Sequence, residues 1–189
     1  MKPGMVLFLN GASSSGKTSL LHALQNVLDA PFLEAGIDKF IWMLPKRYLD
    51  RPVWDDVLGR ADCAGETGHR LVMGMHRAVA ALSDAGWNVL ADHVLVEPAW
   101  VRDCAEMFAS RPAYVVGLRC PLKVLEARER GRKDRTLGQA RLQVEKVHAH
   151  VLYDFEVDTA LHSTQECAVQ IRDWLAGEPE PRALMILRK

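Results

Sequence analysis

Residues 11–18 read Gly11-Ala12-Ser13-Ser14-Ser15-Gly16-Lys17-Thr18 and fill every fixed position of G-x-x-x-x-G-K-[ST]. Small residues let a backbone curl until successive N–H groups converge on one anion, and the helix that follows adds the positive end of its dipole. A lysine at the seventh position reaches the outer phosphates of a nucleotide, and a threonine hydroxyl at the eighth can ligate Mg²⁺. The flanks agree with this reading, because the apolar run Met5–Asn10 precedes the loop and a helical pattern with Leu20, Leu21, Leu24 and Leu28 on one face follows it. The residues of the loop are therefore candidate ligands of a nucleoside triphosphate, with Lys17 a candidate catalytic cation and Thr18 a metal ligand. An N-K-x-D-like guanine-reading motif is missing, which favours ATP.

Two carboxylates stand where a parallel sheet would present them. Asp38 follows PFLEAGI; it is either a base that takes a proton from an attacking hydroxyl or simply a helix N-cap. Asp92 ends the apolar run WNVLAD, the shape of a Mg²⁺-holding strand end, although many strands end in Asp before a turn. His93 beside it receives no role. A third constellation is EARERGRKDR, residues 126–135. Its helix breaks at Gly131, so Arg132 and Arg135 are expected on a lid that closes over phosphates, with Arg128 a further nucleotide contact. A solvated face paired through Glu126, Glu129 and Asp134 is the competing reading.

The elements that must position these groups alternate. Strands are expected at Met5–Asn10, Pro31–Ile37, Asn88–Asp92, Ala113–Cys120 and Phe155–Asp158. Helices are expected at Lys17–Leu28, Glu66–Ala85, Pro98–Ala109, Leu122–Arg130, Leu137–His150 and Thr164–Leu175, with a frayed tail from Gly177. Strands separated by helices imply one α/β domain whose parallel sheet is covered on both faces, with ligands at the carboxyl ends of the strands.

Composition bounds the partners. Lys+Arg and Asp+Glu both number 24 in 189 residues, so there is no basic excess to track nucleic acid. No run approaches a membrane span, and the chain is expected to be cytoplasmic. Cys63, Cys104, Cys120 and Cys167 show no C-x-x-C spacing and are expected as reduced thiols. Oligomeric state has no signature here.

Taken in order, NGASSSGKTSL, FLEAGIDKFIWMLP, VLADHV, VGLRCP, the R-x-D-R of Arg132–Arg135 and YDFEVDT resemble the chloramphenicol phosphotransferases over roughly residues 5–175. The resemblance implies a P-loop fold like that of shikimate and adenylate kinases, with a five-stranded parallel sheet and a helical lid. It implies ATP-dependent, Mg²⁺-assisted phosphorylation of the 3-hydroxyl of chloramphenicol. Asp38 would be its base, Lys17 and Thr18 its phosphate and Mg²⁺ ligands, and Arg132 and Arg135 its lid arginines. Asp158-Thr159 would flank the adenine. The chain departs from the family pattern at Asp92-His93, where the family has Asp-Asp, and through residues 43–64, which would line the acceptor pocket.

In that segment Tyr48 and Trp54, with Trp42 before it, are candidates to stack on an aromatic acceptor or to fill the core. Asp50, Asp55, Asp56 and Asp62 would instead suit a cationic acceptor such as an aminoglycoside. A nucleotide-switched binding module is the alternative outside enzymes, and the basic run counts against it.

Overall fold

The computed structural model describes residues 2–46, 65–131 and 137–189. Five strands form one wholly parallel sheet: β1 (Val6–Asn10), β2 (Phe32–Glu34), β3 (Asn88–His93), β4 (Ala113–Arg119) and β5 (Phe155–Asp158), in the order β2-β3-β1-β4-β5. The central strand β1 is buried from end to end, which explains its unbroken apolar run.

Successive strand side chains point to opposite faces, and this alternation divides the core in two. Val6 and Phe8 of β1, with Val89 and Ala91 of β3, pack under α3 (Glu66–Asp84) and α4 (Pro98–Phe108). Leu7 and Leu9, with Leu90, Val116 and Val157, pack under α1 (Lys17–Val27) and α8 (Thr164–Ala176). Each fully buried Leu or Phe contributes roughly 1.5–3 kcal/mol of apolar transfer, so the sheet edge is a rigid platform. Helix α8 starts at a capping box, with Glu166 N–H donating to Ser163 Oγ and Ser163 N–H to Glu166 Oε2.

The remaining helices are α2 (Ile37–Ile41), α5 (Leu122–Arg130), α6 (Gln139–Gln143), α7 (Lys146–Ala149) and α9 (Ala183–Leu187). Three expectations are corrected. Strand β2 stops at Glu34, and Ile37 already belongs to α2; Gly36 is its N-cap, so Asp38 sits in the first turn and does not cap. The helix expected over 137–150 is two short pieces. It begins after left-handed Gly138 (φ +96°), and the Val147 carbonyl accepts the Asn10 side-chain N–H at 2.8 Å, a tertiary contact.

The tail from Gly177 folds back as α9 with Ala183 and Leu184 buried, where fraying was expected. Asp154 accounts for it. One oxygen accepts the Arg182 and Ala183 N–H groups at 2.7 and 2.9 Å, and the other accepts Val115 N–H at 2.8 Å. Among the described residues Cys104, Cys120 and Cys167 are free thiols, and no helix is long and apolar enough to cross a membrane.

Candidate active site

The carboxyl edge of the sheet gathers the chemistry. Asn10 ends β1 and Gly11 opens the loop to α1. Ser14 (φ +64°) and Gly16 (φ +92°) are both left-handed, and such turns within a short run make a concave nest of N–H groups that suits an anion. Helix α1 has no side-chain cap on its N-terminus, so its first amides remain available to a ligand. Lys17 Nζ donates to the Gly11 and Ala12 carbonyls at 2.8 and 2.9 Å, which holds the ammonium within the loop. The Ser14 and Ser15 hydroxyls are buried and find no hydrogen-bond partner among the described residues. Such orphaned polar atoms ask for a ligand, and a phosphate would supply it.

Asp92 lies level with Leu9 across the β1–β3 ladder. Its carboxylate accepts the Thr18 hydroxyl at 3.4 Å. Burial pushes its pKa above the usual carboxylate value; Lys17 opposes this, while Asp38 and Glu34 push it higher. A nearby cation would reverse that cost. The room is tight, since a Cβ on Gly36 would stand 1.5 Å from Asp92 Oδ1. Only glycine lets the start of α2 close over this carboxylate. That approach also delivers Asp38, half-buried, into the electrostatic reach of Asp92.

Arg128 of α5 does not pair along its own helix. It crosses to the loop after β5, donating to Thr159 Oγ1 at 3.2 Å and to the Thr159 carbonyl at 2.5 Å. With Ser14, Gly16, Ser19, Thr159 and His162 it lines a cavity of about 570 Å³ beside the loop, a size ordinary for a small-molecule or cofactor site. Glu126 pairs with Arg141 at 2.7 Å, and the buried Glu129 carboxylate accepts the Gly138 and Ala140 N–H groups at 2.8 and 3.0 Å. Arg132 and Arg135, with Lys133 and Asp134, lie outside the described residues, as do Tyr48, Trp54 and the acidic residues of 50–62.

Sequence reasoning gave no role to five buried polar residues: Asn10, His76, His93, Gln139 and Gln143. Asn10 accepts Leu95 N–H at 2.8 Å through Oδ1 and donates to the Val147 carbonyl and to Tyr153 Oη, both at 2.8 Å. It thereby ties β1 to the loop after β3 and to α7. His93 accepts Val94 N–H at Nδ1, so its Nε2–H donates to His76 Nε2 at 2.8 Å, and His76 in turn meets Asp103 at 2.6 Å. Burial holds the His93 pKa well below the ordinary value, as a neutral link in this chain requires. Gln143 accepts Ser13 N–H, and Gln139 lies beside the same residue. Only the apolar context of Asn10 offered any signal in the sequence; the other partners are distant along the chain.

A parallel sheet of order β2-β3-β1-β4-β5, with a Gly-Lys-Thr loop after its central strand and a carboxylate at the penultimate position of the neighbouring one, defines a P-loop kinase fold. Solved structures share it: a sugar kinase from Janibacter sp. HTCC2649 (TM-score 0.68, 18% identity, 92% of this chain and 95% of that one), the Mycobacterium tuberculosis APS kinase CysC in complex with AMPPNP and APS (0.60, 16%, 93% and 99%), and shikimate kinase from Acinetobacter baumannii (0.57, 16%, 94% and 95%). The chain itself belongs to the chloramphenicol phosphotransferase-like family, whose model matches residues 4–176. Two Mycobacterium tuberculosis proteins, named "Putative O-phosphotransferase MT2714" (strain CDC 1551 / Oshkosh) and "Putative O-phosphotransferase Rv2636" (strain ATCC 25618 / H37Rv), are each 34% identical over 202 residues, covering 100% of this chain and 90% of theirs. The protein is a small-molecule phosphotransferase.

Proposed function

We propose that the protein transfers the γ-phosphoryl group of ATP to a hydroxyl of a small, uncharged, aromatic acceptor, with the 3-hydroxyl of chloramphenicol the first candidate. The convergence of Lys17, Thr18, Asp92 and Asp38 at one sheet edge carries this reading. The loop Gly11–Thr18 cradles the phosphates, and the cavity beside Arg128 and Thr159 takes the nucleoside. Arg128, held on Thr159, presents a planar guanidinium to the base.

The Thr18 hydroxyl and Asp92 are hard oxygen donors that fit Mg²⁺. Among the described residues no cluster of three or more His, Cys, Asp or Glu competes for a metal, and Mg²⁺ characteristically takes few protein ligands beside phosphate oxygens. When bound, the ion neutralises charge on the phosphates. Asp38 orients the acceptor hydroxyl and takes its proton. Lys17, with Arg132 and Arg135 from the basic run, stabilises charge on the transferring group. Phosphoryl transfer has little covalent chemistry for a protein to perform, so positioning and electrostatics supply most of the rate.

Trp42 follows Asp38 by one helical turn and is 63% exposed, and Met43 is 70% exposed. Exposed apolar side chains within about a turn and a half of the base favour an apolar or aromatic acceptor over a polycation. The decisive experiment follows ATP consumption with Mg²⁺, with and without chloramphenicol, together with the mass of the drug. Addition of one phosphate to the drug is expected. Phosphorylation of aminoglycosides instead would overturn the acceptor assignment, and ATP consumption independent of any acceptor would overturn the kinase mechanism.

A further inference from the structure

Helix α6 buries two carboxamides against the phosphate loop. Ser13 N–H donates to Gln143 Oε1 at 2.7 Å, and one turn earlier Gln139 Oε1 stands 3.5 Å from Ser13 Oγ. The Gln143 atom facing Ser13 must be its oxygen, because a backbone N–H only donates. Gln139, Gln143 and Ser13 are all buried. Burying two amides on a five-residue helix is costly unless they are hydrogen-bonded, and the bonds formed here converge on one residue of the loop. The next two residues, Ser14 and Ser15, carry the hydroxyls that find no partner among the described residues. Gln143 therefore adjoins the part of the loop that is built to receive a ligand.

A loop amide satisfied by a carboxamide is satisfied without charge. A carboxylate in the same place would accept Ser13 N–H equally well, yet it would repel an incoming polyphosphate. We propose that Gln143 is a positioning residue for the nucleotide phosphates: acting through Ser13 it sets the arch of the loop, and its neutrality admits the anion. The inference rests on the reading that a nucleotide occupies Gly11–Thr18. It assigns to α6, beyond the basic run, a place in nucleotide recognition.

The test titrates full-length wild type, Q143E and Q143M with ATP, ADP and AMP in the presence of Mg²⁺, with circular dichroism to verify folding. Q143E retains an acceptor for Ser13 N–H and adds one negative charge. Its affinity is expected to fall about tenfold for ATP, less for ADP and least for AMP, as repulsion scales with phosphate charge. Q143M is neutral and at best a weak acceptor; it is expected to weaken ATP several-fold more than AMP. Equal losses for all three nucleotides would show a structural role only and overturn the proposal, as would Q143E and Q143M affinities matching wild type. If the wild type itself binds no nucleotide, the reading beneath the proposal falls and takes it down; wild-type binding with unchanged variants sinks the proposal alone.

Discussion

The phosphate-loop side and the α2 side of this site are built differently. On the phosphate side most groups are held in place: Asp92 is 5% exposed under Gly36, Lys17 is hydrogen-bonded inside its own loop, and Ser13 is clasped by Gln143, while Thr18 stays open to solvent. On the α2 side Asp38 is half-buried on a five-residue helix, and Trp42 and Met43 turn large apolar groups to solvent. The contrast matches the chemistry required of each half. On the proposed reading one half would meet the same triphosphate at every turnover, which pre-organised dipoles serve best. On the same reading the other would determine which hydroxyl is presented, through apolar fit around Asp38.

Substitutions can break this comparison at its strongest points first. Asp38→Asn removes proton acceptance and leaves the loop intact, so kcat should fall about 10²- to 10⁴-fold while ATP affinity stays within twofold. Steady-state kinetics beside nucleotide titration measures both, and a variant with near-full kcat would remove Asp38 as base. Gly36→Ala forces a Cβ into the Asp92 carboxylate. It should destabilise the fold by about 1–3 kcal/mol and raise the Mg²⁺ concentration needed for half-maximal rate. Denaturant unfolding and a Mg²⁺ titration would show this, and an unchanged Mg²⁺ requirement would separate Gly36 from the metal site.

Trp42→Ala should sharpen the contrast from the other side. Its side chain is largely exposed, so stability should move by no more than about 0.5 kcal/mol. KM for an aromatic acceptor should nevertheless rise several-fold with KM for ATP unchanged. Equal changes in the two KM values would place Trp42 outside the acceptor site.

The smallest effect concerns pH. Burial first, and then Arg119, lower the His148 pKa to about 4 from 6.5. Between these values the unfolded chain binds a proton that the folded chain does not, so stability is complete above pH 6.5 and declines as pH falls through about 4. His148 Nδ1 is 2.5 Å from Tyr153 Oη, and the Tyr153 pKa is itself pushed up to about 12, chiefly by burial. His148→Asn should flatten that part of a denaturation profile against pH. A profile identical to wild type would assign the acid sensitivity elsewhere.

The loop and the strand that precedes it were legible because their physics is local. A phosphate nest needs small residues in sequence, and a central parallel strand needs a continuous apolar run; Gly11–Thr18 and Val6–Asn10 carry both signals without a distant partner. The parallel α/β class followed from the alternation of elements, and resemblance supplied the family. Other features depended on residues far apart in the chain. Gly36 is an ordinary turn residue until the fold brings Asp92 against it. Gln143 is an ordinary helix residue until it meets Ser13, 130 positions away. The 177–189 tail looked unstructured because nothing within it caps α9; that cap is Asp154, held between the tail and β4. Sequence by itself determined what could bind phosphate, through backbone conformations set by neighbouring residues. Tertiary structure alone decided which buried donors and acceptors would face each other around that phosphate, because the partners of a buried polar group are set by how the elements pack.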